Sequence, residues 1–174
     1  MRKPLLFVAV IFLGMICLGV ICLGMIATML ATVSQAQQLT VQPEAGAQKV
    51  LTRADIETLP HIKVATAIHG TPATFEGVAL QSVLEKAGVR FGESLRGARM
   101  ASCLLVEAAD GYRVVIALPE IDPAFTNQQI LLAFSKDGKP LDDKEGPYRI
   151  VIPDEKRPAR WARQVTALKI VDVK

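Results

Sequence analysis

Hydrophobic and polar positions divide the chain into two unlike parts. From Pro4 to Ala36 there is no charged residue, and Leu5 to Val33 is almost wholly apolar. Beyond Ala36, short apolar runs are separated by breaks rich in Gly, Pro and Asp. Each run predicts an element. Thr52 followed by Asp55 is a capping-box pattern, and Pro60 closes the short helix it starts. Ile62–Ile68 alternates branched apolar residues and predicts a strand. A turn over residues 69–74 follows. Val78, Leu80, Val83, Leu84 and Ala87 recur at three- and four-residue spacing, which predicts a helix over 75–88 ended by Gly88.

The second half reads mainly as strands. Two apolar runs between Met100 and Leu118 flank Asp110-Gly111, the signal of a tight hairpin. The proline-punctuated segment 119–125 predicts a short helical turn. Gln128–Leu141 holds another strand and a second Asp-Gly at 137–138. Tyr148–Pro153 and Thr166–Val173 supply the last two strands. About six strands with two or three short helices make a mixed, β-rich α+β domain over 49–174. Residues 37–48 read as a linker or a loose first strand. No strand–helix–strand series of a doubly wound sheet occurs.

The first 36 residues read as a targeting segment. Arg2 and Lys3 precede the apolar run, and Ser34 and Ala36 form a small-x-small end, as in a secretory signal peptide. The apolar run of 29 residues is also long enough to span a bilayer. An uncleaved anchor is therefore the alternative, with membrane contact through residues 5–33 alone. Either way the remainder is expected outside the cytoplasm, periplasmic or extracellular.

Removing that segment changes the charge picture. All 17 acidic residues and 18 of the 20 basic ones lie after Ala36, which leaves the domain near neutral. Such a balance argues against nucleic acid as a partner. Cys103 is the only cysteine left, so an internal disulfide and a cysteine zinc cluster are both excluded. Alternation places Cys103 on the face of Leu105, opposite Leu104 and Val106, and it is expected to be buried. No phosphate loop, nucleophile elbow, HExxH or CxxC is present. No metal ligand set is assigned. His69 is the candidate histidine, at a strand end before Gly70. Asp142, Asp143 and Glu145 read as a solvated loop, and Tyr112 as packed, with Arg113 exposed.

Basic residues converge in GPYRIVIPDEKRPARWARQV, residues 146–165. Pro158 suits the first position of a helical turn. Arg160 and Arg163 would share a face, with Trp161 directed into the core. Backbone N–H groups flanked by guanidinium groups suit a phosphate or another oxyanion, and Arg149, Lys156, Arg157 and Arg160 are the candidates. The alternative is a solvated basic edge neutralised by Asp154 and Glu155.

The order of motifs carries a resemblance. FEGVALQSVL, DGYR, DGKPL, GPYRIVIP and KRPARW, spread from Leu51 to Val171, resemble the oxidoreductase molybdopterin-binding domain of the sulfite oxidase superfamily. That resemblance implies the sulfite-oxidase-type molybdopterin-binding fold as a single domain, with a molybdenum–pterin cofactor held among its loops. It implies that the basic segment holds the anionic pterin pyrophosphate, at Arg149, Lys156, Arg157, Arg160 and Trp161. It also exposes a departure. Catalytic members ligate molybdenum through a cysteine just before the FEGV-type segment, and VATAIHGTPATFEGV has none. The first expectation is therefore a non-catalytic, exported module that binds a small anion or an envelope protein. The second is a molybdopterin-dependent oxidoreductase, with His69 the nearest side chain to replace the cysteine. The third is a membrane-tethered structural or assembly protein.

Overall fold

A computed structural model describes residues 38–172, and the targeting segment read over 1–36 lies outside them. Among the described residues, ten strands form two sheets. The first contains β1 (Leu39–Gln42), β2 (Lys49–Leu51), β5 (Cys103–Ala108), β6 (Arg113–Ala117) and β10 (Val165–Val171), in the order β2-β1-β10-β5-β6. The second contains β3 (His61–Ile68), β4 (Thr71–Ala79), β7 (Leu131–Lys136) and β8 (Lys139–Pro140), in that order, with β9 (Arg149–Val151) also paired to β7. Three short α-helices among the described residues join them: α1 (Arg53–Glu57), α2 (Leu80–Ala87) and α3 (Leu118–Ile121). The architecture is the mixed, β-rich α+β domain that the hydrophobic pattern predicts.

Local chemistry explains several boundaries. The Thr52 hydroxyl accepts from the Asp55 N–H at 3.2 Å, and the Asp55 carboxylate accepts from the Thr52 N–H at 2.9 Å, so the capping box of α1 is formed. Gly88 closes α2 with φ +105°. In the β5–β6 hairpin, Leu104 faces Ile116 and Val106 faces Val114, and all four are buried. They join Leu39, Val41, Leu168 and Ile170 of the first sheet, Phe75, Leu131 and Ile150 of the second, and Leu80, Val83 and Leu84 of α2 in one hydrophobic cluster.

Three expectations are corrected. Residues 75–79 are strand, and the helix begins only at Leu80. Phe75 pairs with Val64 on one side and Lys136 on the other, so two ladders hold a segment whose apolar spacing also suits a helix. Gly77 fixes the choice, because β7 approaches it so closely that a Cβ would lie 2.3 Å from the Leu132 carbonyl oxygen. Of the two readings of residues 37–48, linker or loose first strand, the strand holds for Leu39–Gln42 but it is not loose: β1 is clamped between β2 and β10 with Leu39 and Val41 fully buried. The turn before β4 is two residues, not six, since His69 and Gly70 take φ of +50° and +85°, a hairpin geometry.

Candidate functional site

A cleft of about 1000 Å³ opens at the end of the β3–β4 hairpin. One wall is the hairpin end, Thr66 to Gly70, and the facing wall is the basic segment after β9. That segment leaves the sheet at Pro153, makes a single 3₁₀ turn over Pro158–Arg160, and returns through Trp161 to β10. Backbone bonds from Ile150 N to the Ala162 carbonyl (2.8 Å) and from Val165 N to the Tyr148 carbonyl (2.9 Å) tie its two ends together.

Arg149 lies at the cleft floor and is only 5% exposed. Its Nη1 donates to Glu145 Oε1 at 2.5 Å, and its guanidinium sits 5.4 Å from the Phe75 ring centre and 5.7 Å from that of Trp161. Burial pulls its pKa below the usual arginine value, Glu145 opposes that, and the nearby Arg163 charge adds to the fall. Among the described residues, Arg149 Nε and Trp161 Nε1 are buried donors without an acceptor. Unmade bonds of this kind cost about 1–3 kcal/mol each; the floor of the cleft is short of acceptors, while Glu155 Oε2 on its wall is a buried acceptor without a donor among the described residues.

The rim carries the remaining positive charge. Lys156, Arg157 and Arg163 line the cleft and form no ion pair among the described residues. Of the carboxylates that line it, Glu145 is engaged by Arg149 and by Lys136 at 3.7 Å and Glu155 by Arg160 at 2.5 Å, while Asp110 accepts only from the Tyr112 N–H and forms no ion pair among the described residues. Four lining cations, Arg149, Lys156, Arg157 and Arg163, face the three lining carboxylates, and Lys136 and Arg160 offset two of those from outside the lining, so the local field is positive although the whole domain is near neutral.

Five of the six candidate residues line this cleft: His69, Arg149, Lys156, Arg157 and Trp161. Arg160 does not. It turns away to Glu120 on α3 (Nη2 to Oε2, 3.0 Å) and to Glu155, and the Glu120 hydrogen bond chiefly raises its pKa. Trp161 is 3% exposed, as its expected core orientation requires. Two cleft residues were misread in the sequence. Tyr112 is not packed but about half exposed, and its hydroxyl donates to the Ala159 carbonyl at 2.7 Å, pinning the basic turn. Glu145 is not a solvated loop carboxylate but the counter-ion of Arg149. The DGYR and KEGPYR strings carried those signals, as a hairpin tip and an i,i+4 pair.

The donor set fits an anionic, phosphate-bearing group. It does not fit a molybdenum that needs a protein thiolate. Cys103 stands in the other sheet on β5, opposite Ala117 and Val171, and does not line the cleft. It is half-buried rather than buried, because the Cys103–Leu105 face of β5 points outward. His69 lines the cleft, but no group of three His, Cys, Asp or Glu side chains able to hold a metal occurs among the described residues.

The family model described as "Oxidoreductase molybdopterin binding domain" matches residues 28–174. The structure is similar to that of the sulfane dehydrogenase SoxCD from Paracoccus pantotrophus, with a TM-score of 0.63 and 18% sequence identity. That likeness covers 80% of this chain and 39% of the other, so the chain spans well under half the length of its structural neighbour. No curated protein sequence matches the chain.

Proposed function

The chain belongs to the oxidoreductase molybdopterin-binding domain family, and from that premise we propose that it is an exported, non-catalytic module whose cleft binds a phosphate-bearing anion. The pyrophosphate of a pterin cofactor is the family's own ligand of that class. The observation that carries the reading is the pairing pattern. Among the described residues, Lys156, Arg157 and Arg163 are left without an ion pair around a cleft where Glu145 and Glu155 are spent on Arg149, Arg160 and Lys136, and Asp110 is the one lining carboxylate without a cation. Charge-assisted bonds from such groups to phosphate oxygens are among the stronger protein hydrogen bonds. The missing thiolate argues against a catalytic molybdenum centre in this cleft. Export rests on residues 1–36 alone, with an uncleaved anchor as the other form of the same reading.

The second reading is a molybdopterin-dependent oxidoreductase, favoured by the cleft volume of about 1000 Å³, which suits a cofactor of pterin size. The bound group would supply the redox chemistry. This chain would supply Arg149, Lys156 and Arg157 to hold its phosphates and His69 beside it. Elemental analysis separates the two on protein purified from a molybdate-fed host. Molybdenum far below one atom per chain, with a melting temperature raised by inorganic pyrophosphate, is the expected result. Molybdenum near one atom per chain would overturn the non-catalytic reading.

A further inference from the structure

The second sheet ends in a strand that is long, regular and without a further strand along its outer edge among the described residues. β3 spans His61–Ile68 and pairs along its whole length with β4, its only strand neighbour among the described residues. A two-residue hairpin loop closes on a hydrogen-bonded pair, here Ile68 and Thr71. Bonds to β4 therefore fall on Ile68, Thr66, Val64 and Ile62. The N–H and C=O groups of Ala67, Ala65, Lys63 and His61 point away from β4, along the free edge. Proteins blunt such edges with proline, bulges or inward charge. β3 has no proline, its pairing with β4 runs without a bulge, and its one lysine, Lys63, is 3.5 Å from Glu76 across the hairpin.

Two further features say what the edge suits. Ile62, Val64 and Ile68 pack against the core yet stay half-buried, as apolar residues do beside an absent neighbour strand. At its C-terminal end the edge runs into the cleft, where Thr66, Ala67 and Ile68 share the lining with the unpaired Lys156, Arg157 and Arg163. We propose that β3 captures an extended, acidic peptide segment of a partner protein, adding it as a sixth strand whose carboxylates reach into the cationic cleft. Backbone bonds supply the affinity of such an addition, and the cations select the sequence. The acidic character of the partner rests on the anion-binding reading of the cleft; the strand addition does not.

The probe is an acetylated, amidated octapeptide with Glu-Glu at each end and alternating Val and Thr between. Its binding is expected to protect the amides of Lys63, Ala65 and Ala67 from hydrogen exchange, while those of Val64 and Thr66 are protected already. Ala65→Pro removes an outward N–H without touching a bond to β4, and the preceding Val64 is already extended, as proline demands. That variant should keep its melting temperature and its stabilisation by pyrophosphate, and lose peptide affinity by roughly tenfold or more. A twin peptide with Lys for Glu should bind far more weakly. Equal binding of the peptide by Ala65→Pro and the parent, or protection confined to residues 153–163, overturns the strand proposal and leaves the anion reading standing. Dimers of the parent that Ala65→Pro abolishes would overturn it too, since the occupant would then be a second copy. Failure of pyrophosphate to stabilise the parent, with both peptides binding equally, sinks the anion reading and the acidic partner together.

Discussion

Gly77 shows how one residue can decide an element. A Cβ there would lie 2.3 Å from the Leu132 carbonyl oxygen and 2.6 Å from Ala133 Cα, both backbone atoms that cannot swing aside. Gly77→Ala must push β7 off β4, and a loss of about 3 kcal/mol is expected in urea unfolding. Tyr148 offers a second test. It is fully buried, and burial pushes its phenol up to about 12. Above pH 10 the unfolded chain releases this proton while the folded chain keeps it, so the folded state binds more protons there and stability falls as pH rises. The Tyr148 contribution is complete below pH 10 and lost between pH 10 and 12, by roughly 2 kcal/mol. Tyr148→Phe should flatten that part of the stability profile; an unchanged slope would assign the loss to other groups. Neither residue's role was legible in the sequence. A glycine inside FEGV and a tyrosine after Pro147 gain their meaning from what another strand places against them. The same holds for Arg149: in the sequence it matches Lys156 as a basic residue, and only pairing with β7 buries it.

At the scale of elements, the basic turn is held from two sides. Arg160 ties it to α3 through Glu120, whose carboxylate also caps the Ala117 N–H at 3.1 Å. Tyr112, at the tip of the β5–β6 hairpin, ties it through the Ala159 carbonyl. Arg160 is therefore a positioning residue, and its effect should differ in kind from that of the rim cations. Replacing the pair together, Arg160→Ala with Glu155→Gln, removes the cation and the cleft carboxylate it neutralises, and should lower pyrophosphate affinity about threefold to tenfold by loosening the turn, leaving the salt dependence of binding unchanged. Arg157→Ala should lower affinity and make binding less sensitive to salt, because it removes a charge that acts on the anion. Equal changes in salt dependence would place Arg160 on the ligand. The existence of this turn was readable, since Pro158 sets its first residue and Trp161 anchors its end. The direction of Arg160 was not, because its partner lies 40 residues earlier on α3. Capping and Asp-Gly turns are local chemistry, so α1 and the β5–β6 hairpin were legible. β1 was legible only as a loose alternative to a linker: it is four residues long, and its firm place between β2 and β10 depends on a parallel pairing with the last strand of the fold.

For the whole molecule, the decisive fact is that both sheets feed one core. Leu39 and Leu168 of the first sheet and Phe75 and Leu131 of the second belong to a single buried cluster, and Trp161 joins it from the cleft side. The Trp161 ring meets Phe75 edge-on at 6.1 Å, and Phe75 in turn faces Arg149. The cleft wall is thus continuous with the core rather than appended to it, and it should not melt separately. Small domains with one core unfold in a single cooperative step. Fluorescence of Trp161, the chain's one tryptophan, reports the cleft wall, and far-ultraviolet circular dichroism reports the two sheets. The two signals should give one midpoint in thermal or urea unfolding. Pyrophosphate at about a hundred times its dissociation constant should move both midpoints together, by an amount equivalent to about 2.7 kcal/mol. A fluorescence midpoint that rises alone would mean that the ligand orders the basic turn without stabilising the sheets, and the cleft would then be a separate folding unit despite the shared packing around Phe75.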